Sequence, residues 1–149
     1  MSTRADGPRI GPYRVLRLLG QGSMGVVHLA VDDASGQAVA LKVIGLATDG
    51  HDAALAEARA RFLAEAEPMR RLRHPDIVAL HAAGEEAGRG WLAMELISGT
   101  SLERYTRPAR LLPEAVVLAL GARIARALHH AHGAGVVHRD VKPSNVMVD

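Results

Sequence analysis

Eight residues near the C-terminus bring a histidine, an aspartate, a lysine and an asparagine together. They read H-R-D-V-K-P-S-N and run from His138 to Asn145. An aspartate carboxylate can accept a proton from a hydroxyl nucleophile, which makes Asp140 a candidate base. Lys142 can neutralise negative charge on a transferring group, and the amide oxygen of Asn145 suits a hard cation such as Mg²⁺. The octet therefore predicts group transfer, although a solvated surface turn can have the same composition.

The scarcity of two residue types makes the octet more informative. The 149-residue chain has 18 basic residues, of which only Lys42 and Lys142 are lysines, and Asn145 is its only asparagine. Two of these three scarce residues lie within the octet. Chance remains an alternative explanation, since any chain must place its few lysines somewhere.

A second candidate site is a glycine-rich loop in which Gly20, Gly22 and Gly25 fit the pattern G-x-G-x-x-G. Small residues allow backbone N–H groups to approach phosphate oxygens closely. In a chain with 15 glycines, a structural turn explains the pattern equally well. The residues that follow distinguish a dinucleotide-binding loop from a turn between two strands. A dinucleotide-binding loop leads into a helix, whereas Val26–Asp32 is predicted to be a strand. The loop therefore favours a flap between antiparallel strands that covers a triphosphate.

Hydrophobic periodicity and turn signals predict the strands and helices on which these residues lie. The predicted strands are Tyr13–Leu19, Val26–Asp32, Gln37–Ile44, Ile77–Ala82 and Trp91–Leu96. The predicted helices run from Asp52 to about Leu72, from Ser101 to Thr106 and from Glu114 to His132. Pro68 inside the first helix predicts a kink or break, because proline lacks an N–H and clashes with the preceding turn.

Composition excludes several classes of protein. Hydrophobic residues make up 48% of the chain, which predicts a packed core rather than disorder. The net charge of +2 gives no argument for a nucleic-acid or membrane partner, and the absence of cysteine excludes thiolate chemistry. No apolar run reaches the ~18 residues of a membrane span, and Met1–Pro8 lacks the apolar core of a signal peptide. We therefore expect a cytoplasmic protein with a flexible N-terminal lead.

Together, the motifs resemble those of bacterial protein kinases of the eukaryotic type, a family of two-lobed serine/threonine kinases. The octet fits H-R-D-x-K-x-x-N, Val39–Lys42 fits V-A-x-K, and His74–Val78 fits H-P-x-I-V, in the order of that family. Lysine followed by proline in the octet is typical of serine/threonine rather than tyrosine kinases. The resemblance extends from about Ile10 to Asp149.

The resemblance implies an α+β, protein-kinase-like fold. Residues 1–10 would be the flexible lead, and residues 11–97 the ATP-binding N-lobe, a five-stranded antiparallel sheet with an αC helix. Residues 98–149 would be the hinge and an incomplete helical C-lobe that ends after the catalytic loop.

The implied reaction is transfer of the γ-phosphate of ATP, with Mg²⁺, to serine or threonine hydroxyls of a protein substrate. Asp140 would be the base, Lys142 would neutralise the transferring phosphate, and Asn145 would bind the metal. Lys42 would contact the nucleotide phosphates and pair with a helix glutamate. Glu65 is the favoured partner, and Glu57 and Glu67 are its rivals.

The resemblance also implies a nucleotide site. Met94 would be the gatekeeper, and the backbone of Glu95 and Ile97 would hydrogen-bond adenine. The side chains that would enclose the purine are those of Leu19, Val27, Ala40 and Met147, which can also be ordinary core residues. The full implied set comprises Leu19, Gly20, Gln21, Gly22, Ser23, Met24, Gly25, Val27, Ala40, Lys42, Met94, Glu95, Ile97 and Met147.

No D-F-G tripeptide occurs in the sequence, although kinases of this family use its aspartate to bind both metals. We therefore expect a fragment of a kinase domain whose isolated chain is inactive or very weak. An alternative is a non-catalytic module that binds nucleotide or pairs with another kinase chain. An oxidoreductase with a Rossmann fold is a third and weaker interpretation, because a strand follows the glycine loop.

Overall fold

The computed structural model describes residues 7–22, 25–46 and 52–149. Within these ranges the strands are β1 Arg9–Ile10, β2 Tyr13–Gly22, β3 Gly25–Asp32, β4 Ala38–Gly45, β5 Leu80–Glu86, β6 Arg89–Glu95, β7 Thr100–Ser101 and β8 Met147–Val148. The α-helices are α1 Asp52–Arg71 and α2 Glu114–Gly133, and short 3₁₀ helices span Leu102–Tyr105, Pro108–Arg110 and Pro143–Asn145.

The chain divides into two compact units. The sheet unit comprises Met1–Arg71 and Ala79–Leu96, and the helical unit comprises Leu72–Val78 and Ile97–Asp149. The sequence assigned Leu72–Val78 to the N-lobe range 11–97, whereas the structure groups it with the helical unit. A long-range ion pair joins this segment to α2 within the helical unit, since Arg123 of α2 donates to a carboxylate oxygen of Asp76.

The sheet unit is built on a six-stranded antiparallel sheet with the order β1-β2-β3-β4-β6-β5. All five predicted strands are present, and β1 adds a sixth at the edge, where Ile10 pairs with Tyr13. The expectation of a flexible lead is therefore wrong for Arg9 and Ile10, and Ile10 is buried. Gly11 has a φ of 55°, which lets the chain turn back on itself at that point. Residues 1–6 lie outside the described residues.

The two faces of the sheet have different partners, and β4 shows the alternation most clearly. Val39 and Leu41 are fully buried on one face, in a cluster of Ile10, Tyr13, Ala30, Val39, Leu41, Trp91 and Ala93. On the other face, α1 packs through Ala66 and Phe62 against Leu80 and Leu92. Gly90 makes this contact possible, because a Cβ there would lie 2.9 Å from the Phe62 ring.

Helix α1 continues through Pro68 to Arg71, so of the predicted kink or break, the break is wrong and the kink stays a prediction. Proline removes the hydrogen bond that its N–H would make to the carbonyl one turn back. Pro68 lies in the last turn of the helix, where that loss affects only the final residues.

The hairpin of β5 and β6 also differs from the prediction. The sequence placed a loop at residues 84–90, whereas β5 extends to Glu86 and β6 begins at Arg89. Ala87 and Gly88, which connect them, have φ angles of 50° and 74°. Positive φ at both positions gives the turn a twist that matches the flanking strands, so both strands continue close to the turn.

The helical unit centres on α2, which begins after Pro113 and ends at Gly133, close to the predicted bounds. Its buried residues are Ala127 and Ala131, whereas Val116 and Leu118 are exposed. Beside the helix, the rings of His74 and His130 lie 5.2 Å apart between centroids. In the described part of the chain, neither α-helix has the length and apolar character needed to cross a bilayer.

Candidate functional site

The first group of predicted site residues lies on one face of the sheet unit. The register pairs Val27 with both Gly20 and Lys42, and it pairs Ala40 with Met94. Directly paired residues point to the same face, and residues two apart on a strand do so as well. Val27, Ala40, Lys42 and Met94 therefore share a face, opposite the buried cluster that contains Leu41. This arrangement places a half-buried lysine among apolar side chains.

The glycine loop connects β2 to β3, and Gly22 pairs with Gly25 across its base. Gly25 has a φ of 132°, and a Cβ there would collide with the Val43 carbonyl oxygen, so the fold itself requires glycine. A Cβ at Gly20 or Gly22 would meet no atom of the described residues within 4 Å. Packing therefore gives no reason for glycine at those two positions, whereas close approach of a phosphate to the backbone does.

Two further residues of the predicted nucleotide site, Leu19 and Gln21, are exposed. The register shifts between Leu18 and Gly20, which takes Leu19 out of the regular pairing with β3. Ser23 and Met24 were also predicted to bind nucleotide, and they lie outside the described residues.

The structure does not bring Lys42 and Glu65 together in an ion pair. Within the described residues, the rival carboxylates are both occupied by neighbours on α1. Glu57 lies 3.0 Å from the Arg61 guanidinium, and Glu67 contacts Arg71 at 3.2 Å and a second arginine at 3.5 Å. Glu65 is exposed and forms no such pair in the part of the chain that the structure describes.

The predicted hinge residues are partly occupied by contacts within the chain. The backbone N–H of Glu95 donates to the Ala79 carbonyl at 2.9 Å, and a Glu95 carboxylate oxygen accepts from the Ala79 N–H at 3.2 Å. The N–H of Glu95 is therefore already bonded, and any bond from Glu95 to adenine would use its carbonyl. Ile97 is half-buried, and Met147 is exposed in β8, both in the helical unit.

The second group of predicted residues lies in the octet, where the structure brings three of them together. Asp140 Oδ2 lies 3.2 Å from Lys142 Nζ and accepts a 3.1 Å hydrogen bond from Asn145 Nδ2. Asn145 Nδ2 also donates to the backbone carbonyl of Asp140 at 2.8 Å. These bonds fix the carboxylate, the ammonium and the amide in one turn.

A strained residue lies at the start of this turn. Arg139 has a φ of 66°, in the left-handed region that non-glycine residues rarely occupy. The Asp140 N–H donates to His138 Nδ1 at 3.1 Å, across Arg139. This bond joins the residues on either side of Arg139, so the imidazole helps to hold the strained turn in place.

The charges in the octet keep Asp140 ionised. The hydrogen bond from Lys142 lowers the pKa of Asp140 below its usual value, and the bond from Asn145 lowers it further. Within the described residues, Oδ1 of Asp140 and Oδ1 of Asn145 have no hydrogen-bond donor. One oxygen therefore remains available to a substrate hydroxyl and the other to a cation.

The donor set around Asn145 matches one ligand of a cation rather than a complete cage. No group of three or more His, Cys, Asp or Glu side chains in the described ranges is arranged to hold a metal ion. Mg²⁺ typically combines one or two protein oxygens with phosphate oxygens and water. The octet thus fits a cation that arrives with a phosphorylated ligand.

Sequence reasoning missed the residue that fixes the octet to the rest of the helical unit. Ser101 Oγ donates to the Pro143 carbonyl at 3.2 Å, and the Leu102 N–H donates to the Val146 carbonyl at 2.8 Å. The β7 and β8 strands pair beside these bonds. Ser101 also caps the next 3₁₀ helix, because its Oγ accepts from the Glu103 N–H. A serine before a helical segment signals the cap, but nothing in the sequence signals the bond to Pro143.

Comparison with known proteins identifies the family to which the chain belongs. Residues 13–149 match the family model of the protein kinase domain. The chain is 42% identical over 142 residues to the serine/threonine-protein kinase PknD of Mycobacterium tuberculosis, covering 95% of this chain and 21% of PknD. It is 41% identical over 144 residues to CBL-interacting protein kinase 4 of Oryza sativa, covering 95% of this chain and 31% of that protein.

A solved structure extends the comparison to three dimensions. The crystal structure of the Mycobacterium tuberculosis PknI kinase domain matches this fold with a TM-score of 0.78 at 36% identity. The match covers 99% of this chain and 59% of that chain. The chain therefore spans less than a third of PknD or the rice kinase, and about three fifths of a solved kinase domain.

Proposed function

This chain belongs to the protein kinase family, and from that premise we propose that it carries the nucleotide-binding lobe and the catalytic loop of a serine/threonine kinase. The proposed reaction transfers the γ-phosphate of ATP to a serine or threonine hydroxyl of a protein substrate. The observation that carries the proposal is the hydrogen-bonded turn that joins Asp140, Lys142 and Asn145.

Asp140 is the proposed base. Its Oδ2 is held by Lys142 and Asn145, which leaves Oδ1 to orient the substrate hydroxyl and accept its proton. The lowered pKa of Asp140 keeps the carboxylate ionised at neutral pH, so it can act as an acceptor. Lys142 carries a mobile charge on a half-exposed side chain, and it is proposed to neutralise the phosphoryl oxygens during transfer.

The sheet unit is proposed to bind the nucleotide. Backbone N–H groups at Gly20, Gly22 and Gly25 would surround the phosphates, and Lys42 would contact them from the same face of the sheet. Val27, Ala40 and Met94 of that face would pack against the purine, with Leu19, Gln21, Ser23, Met24 and Met147 completing the site. The Glu95 carbonyl and the Ile97 backbone would bind adenine. Mg²⁺, when bound, would offset phosphate charge, with Asn145 as a protein ligand.

Glu65 is the proposed partner of Lys42. The contacts of the two alternative glutamates support this choice, since Glu57 and Glu67 each already form an ion pair with an arginine on α1. A carboxylate without such a partner is more readily recruited by a lysine on a neighbouring strand.

A second candidate function concerns the 149-residue polypeptide by itself. Its sequence contains no D-F-G, the tripeptide whose aspartate binds both metals in kinases. We propose that this polypeptide binds ATP but transfers phosphate weakly or not at all. It would then act as a nucleotide-binding module or pair with another kinase chain.

The experiment that tests both candidates measures nucleotide binding and phosphate transfer on the same purified chain. Binding of Mg·ATP is followed by calorimetry, and transfer by radiolabelled ATP with casein as the acceptor. We expect Lys42→Met to abolish binding and the isosteric Asp140→Asn to preserve it, with transfer near background in all samples. Transfer by the unchanged chain that Asp140→Asn removes would overturn the second candidate. Absence of Lys42-dependent binding would overturn both.

A further inference from the structure

Three arginines line an open cleft of about 350 Å³ in the helical unit. The cleft follows β7 and is formed by the two 3₁₀ helices Leu102–Tyr105 and Pro108–Arg110 and the residues that flank them. The lining residues are Ser101, Glu103, Arg104, Thr106, Arg107 and Arg110.

The charge of the cleft is unbalanced. Arg104, Arg107 and Arg110 are exposed, and within the described ranges none of them forms an ion pair. Glu103 is the single carboxylate among the lining residues. Other arginines of this chain do pair, as Arg123 does with Asp76 and Arg59 with Glu85. The cleft therefore presents guanidinium groups whose forked donors suit carboxylate and phosphate oxygens.

The cleft is also attached to the octet. Ser101, one of its lining residues, donates from Oγ to the Pro143 carbonyl, and Leu102 donates to the Val146 carbonyl. These bonds fix the start of the arginine segment to the turn that carries Asp140. A peptide that places anionic side chains in the cleft thereby binds an element that is hydrogen-bonded to the segment carrying the proposed base.

We propose that this cleft docks anionic side chains of the protein substrate, either carboxylates or phosphorylated serine and threonine, and so selects acidic substrates. The inference rests on the proposed function and names its substrate class. Arg104, Arg107 and Arg110 supply the attraction, and Glu103 limits the net charge.

Binding of fluorescent peptides to the 149-residue chain, followed by anisotropy, tests this proposal. Three peptides share one serine acceptor and differ in their flanking residues, which are glutamates, phosphoserines or glutamines. The glutamate and phosphoserine peptides distinguish the two sources of negative charge. We expect both to bind at least about tenfold more tightly than the glutamine peptide, and rising salt to reduce the difference.

Four variants test whether the acidic peptides bind at the arginine cleft. Exposed ion pairs change an affinity by a factor of about two each, so replacing Arg104, Arg107 and Arg110 together with glutamine should weaken acidic-peptide binding about tenfold. Glu103→Gln should strengthen it about twofold, because a repulsive carboxylate is removed. Arg89→Gln, which changes an exposed arginine of the sheet unit, is the matched control and should have no effect. The single Arg107→Gln variant covers the case in which the triple variant fails to fold by circular dichroism.

Equal affinity of the arginine variants and the unchanged chain would reject the docking site. So would a DNA oligonucleotide that binds the three arginines more tightly than the acidic peptides. Calorimetry with Mg·ATP on the same samples separates the two proposals. Lys42-dependent ATP binding without an acidic preference rejects only the docking site, and arginine-dependent peptide binding without ATP binding rejects only the kinase function.

Discussion

Different interactions stabilise the interior of the sheet unit and the interior of the helical unit. The sheet unit has a buried cluster on each side of its main sheet, and Val39 and Leu41 within it are fully buried. In the helical unit, the buried residues among those described are Leu72, Ala127 and Ala131. Packed apolar side chains therefore position the residues of the proposed nucleotide site. Hydrogen bonds and ion pairs, by contrast, position the residues of the octet.

The largest effect should come from removing a core side chain of the sheet unit. Leu41 is 0% exposed, whereas Leu118 on α2 is 66% exposed. Truncating a fully buried leucine to alanine costs about 3 kcal/mol through lost burial and the cavity that remains. Leu118→Ala, the matched control, should change the free energy of unfolding by less than about 0.5 kcal/mol.

Urea unfolding with two signals checks this prediction. Trp91 is the only tryptophan of the chain and lies in the same buried cluster as Leu41, so its fluorescence reports on the sheet unit. Far-ultraviolet circular dichroism includes the signal of α2. Leu41→Ala should shift the fluorescence midpoint strongly and Leu118→Ala should leave both midpoints in place. Equal shifts for the two variants would contradict the contrast between the units.

Strands of the sheet unit could be predicted because burial imposes a local pattern. Alternation along β4 identifies that strand without reference to the rest of the chain. The two-residue β1 could not be predicted, since Arg9 and Ile10 carry no pattern and depend on pairing with β2. The extent of β5 was missed because Ala87 adopts a positive φ that its identity does not suggest.

The site could be predicted where its residues are close in sequence. His138, Asp140, Lys142 and Asn145 lie within one octet, and in the structure each of the other three contacts Asp140. Contacts between residues far apart in the sequence were not predicted, because no short sequence pattern indicates them. Ser101 reaches a residue 42 positions away, and Arg123 reaches one 47 positions away. Whether Lys42 and Glu65 pair also depends on how α1 lies on the sheet, which a linear pattern does not specify.

A smaller effect should come from the turn between β5 and β6. Ala87 has a φ of 50°, and glycine adopts this conformation without the steric cost that a Cβ brings. Ala87→Gly should therefore stabilise the sheet unit by about 0.5–1 kcal/mol, visible as a higher urea midpoint of Trp91 fluorescence. Ala34→Gly, in another turn of the sheet unit, lacks a positive φ to relieve and should give no gain. A loss of stability in Ala87→Gly would show that this turn is unstrained.

The smallest effect should come from the ion pair that joins Asp76 to Arg123 in the helical unit. The hydrogen bond from Arg123 lowers the pKa of Asp76 below 3.8, and the same contact raises the pKa of Arg123. A carboxyl whose pKa is lower in the folded chain stabilises it at pH values above the unfolded pKa. That contribution is lost as the pH falls through the folded pKa. Since the Arg123 side chain is 57% exposed, solvent weakens the pair, and the effect at neutral pH should be small.

Nuclear magnetic resonance titration of the Asp76 carboxyl measures this contribution directly. In the unchanged chain the midpoint should lie below 3.8, and Arg123→Gln should raise it towards that value. Arg126→Gln is the control, because Arg126 lowers the pKa of Asp76 through its charge alone, without a hydrogen bond to the carboxylate. A midpoint that Arg123→Gln leaves unchanged would show that this ion pair does not form in solution. The helical unit would then lose one of the ion pairs on which its contrast with the sheet unit depends.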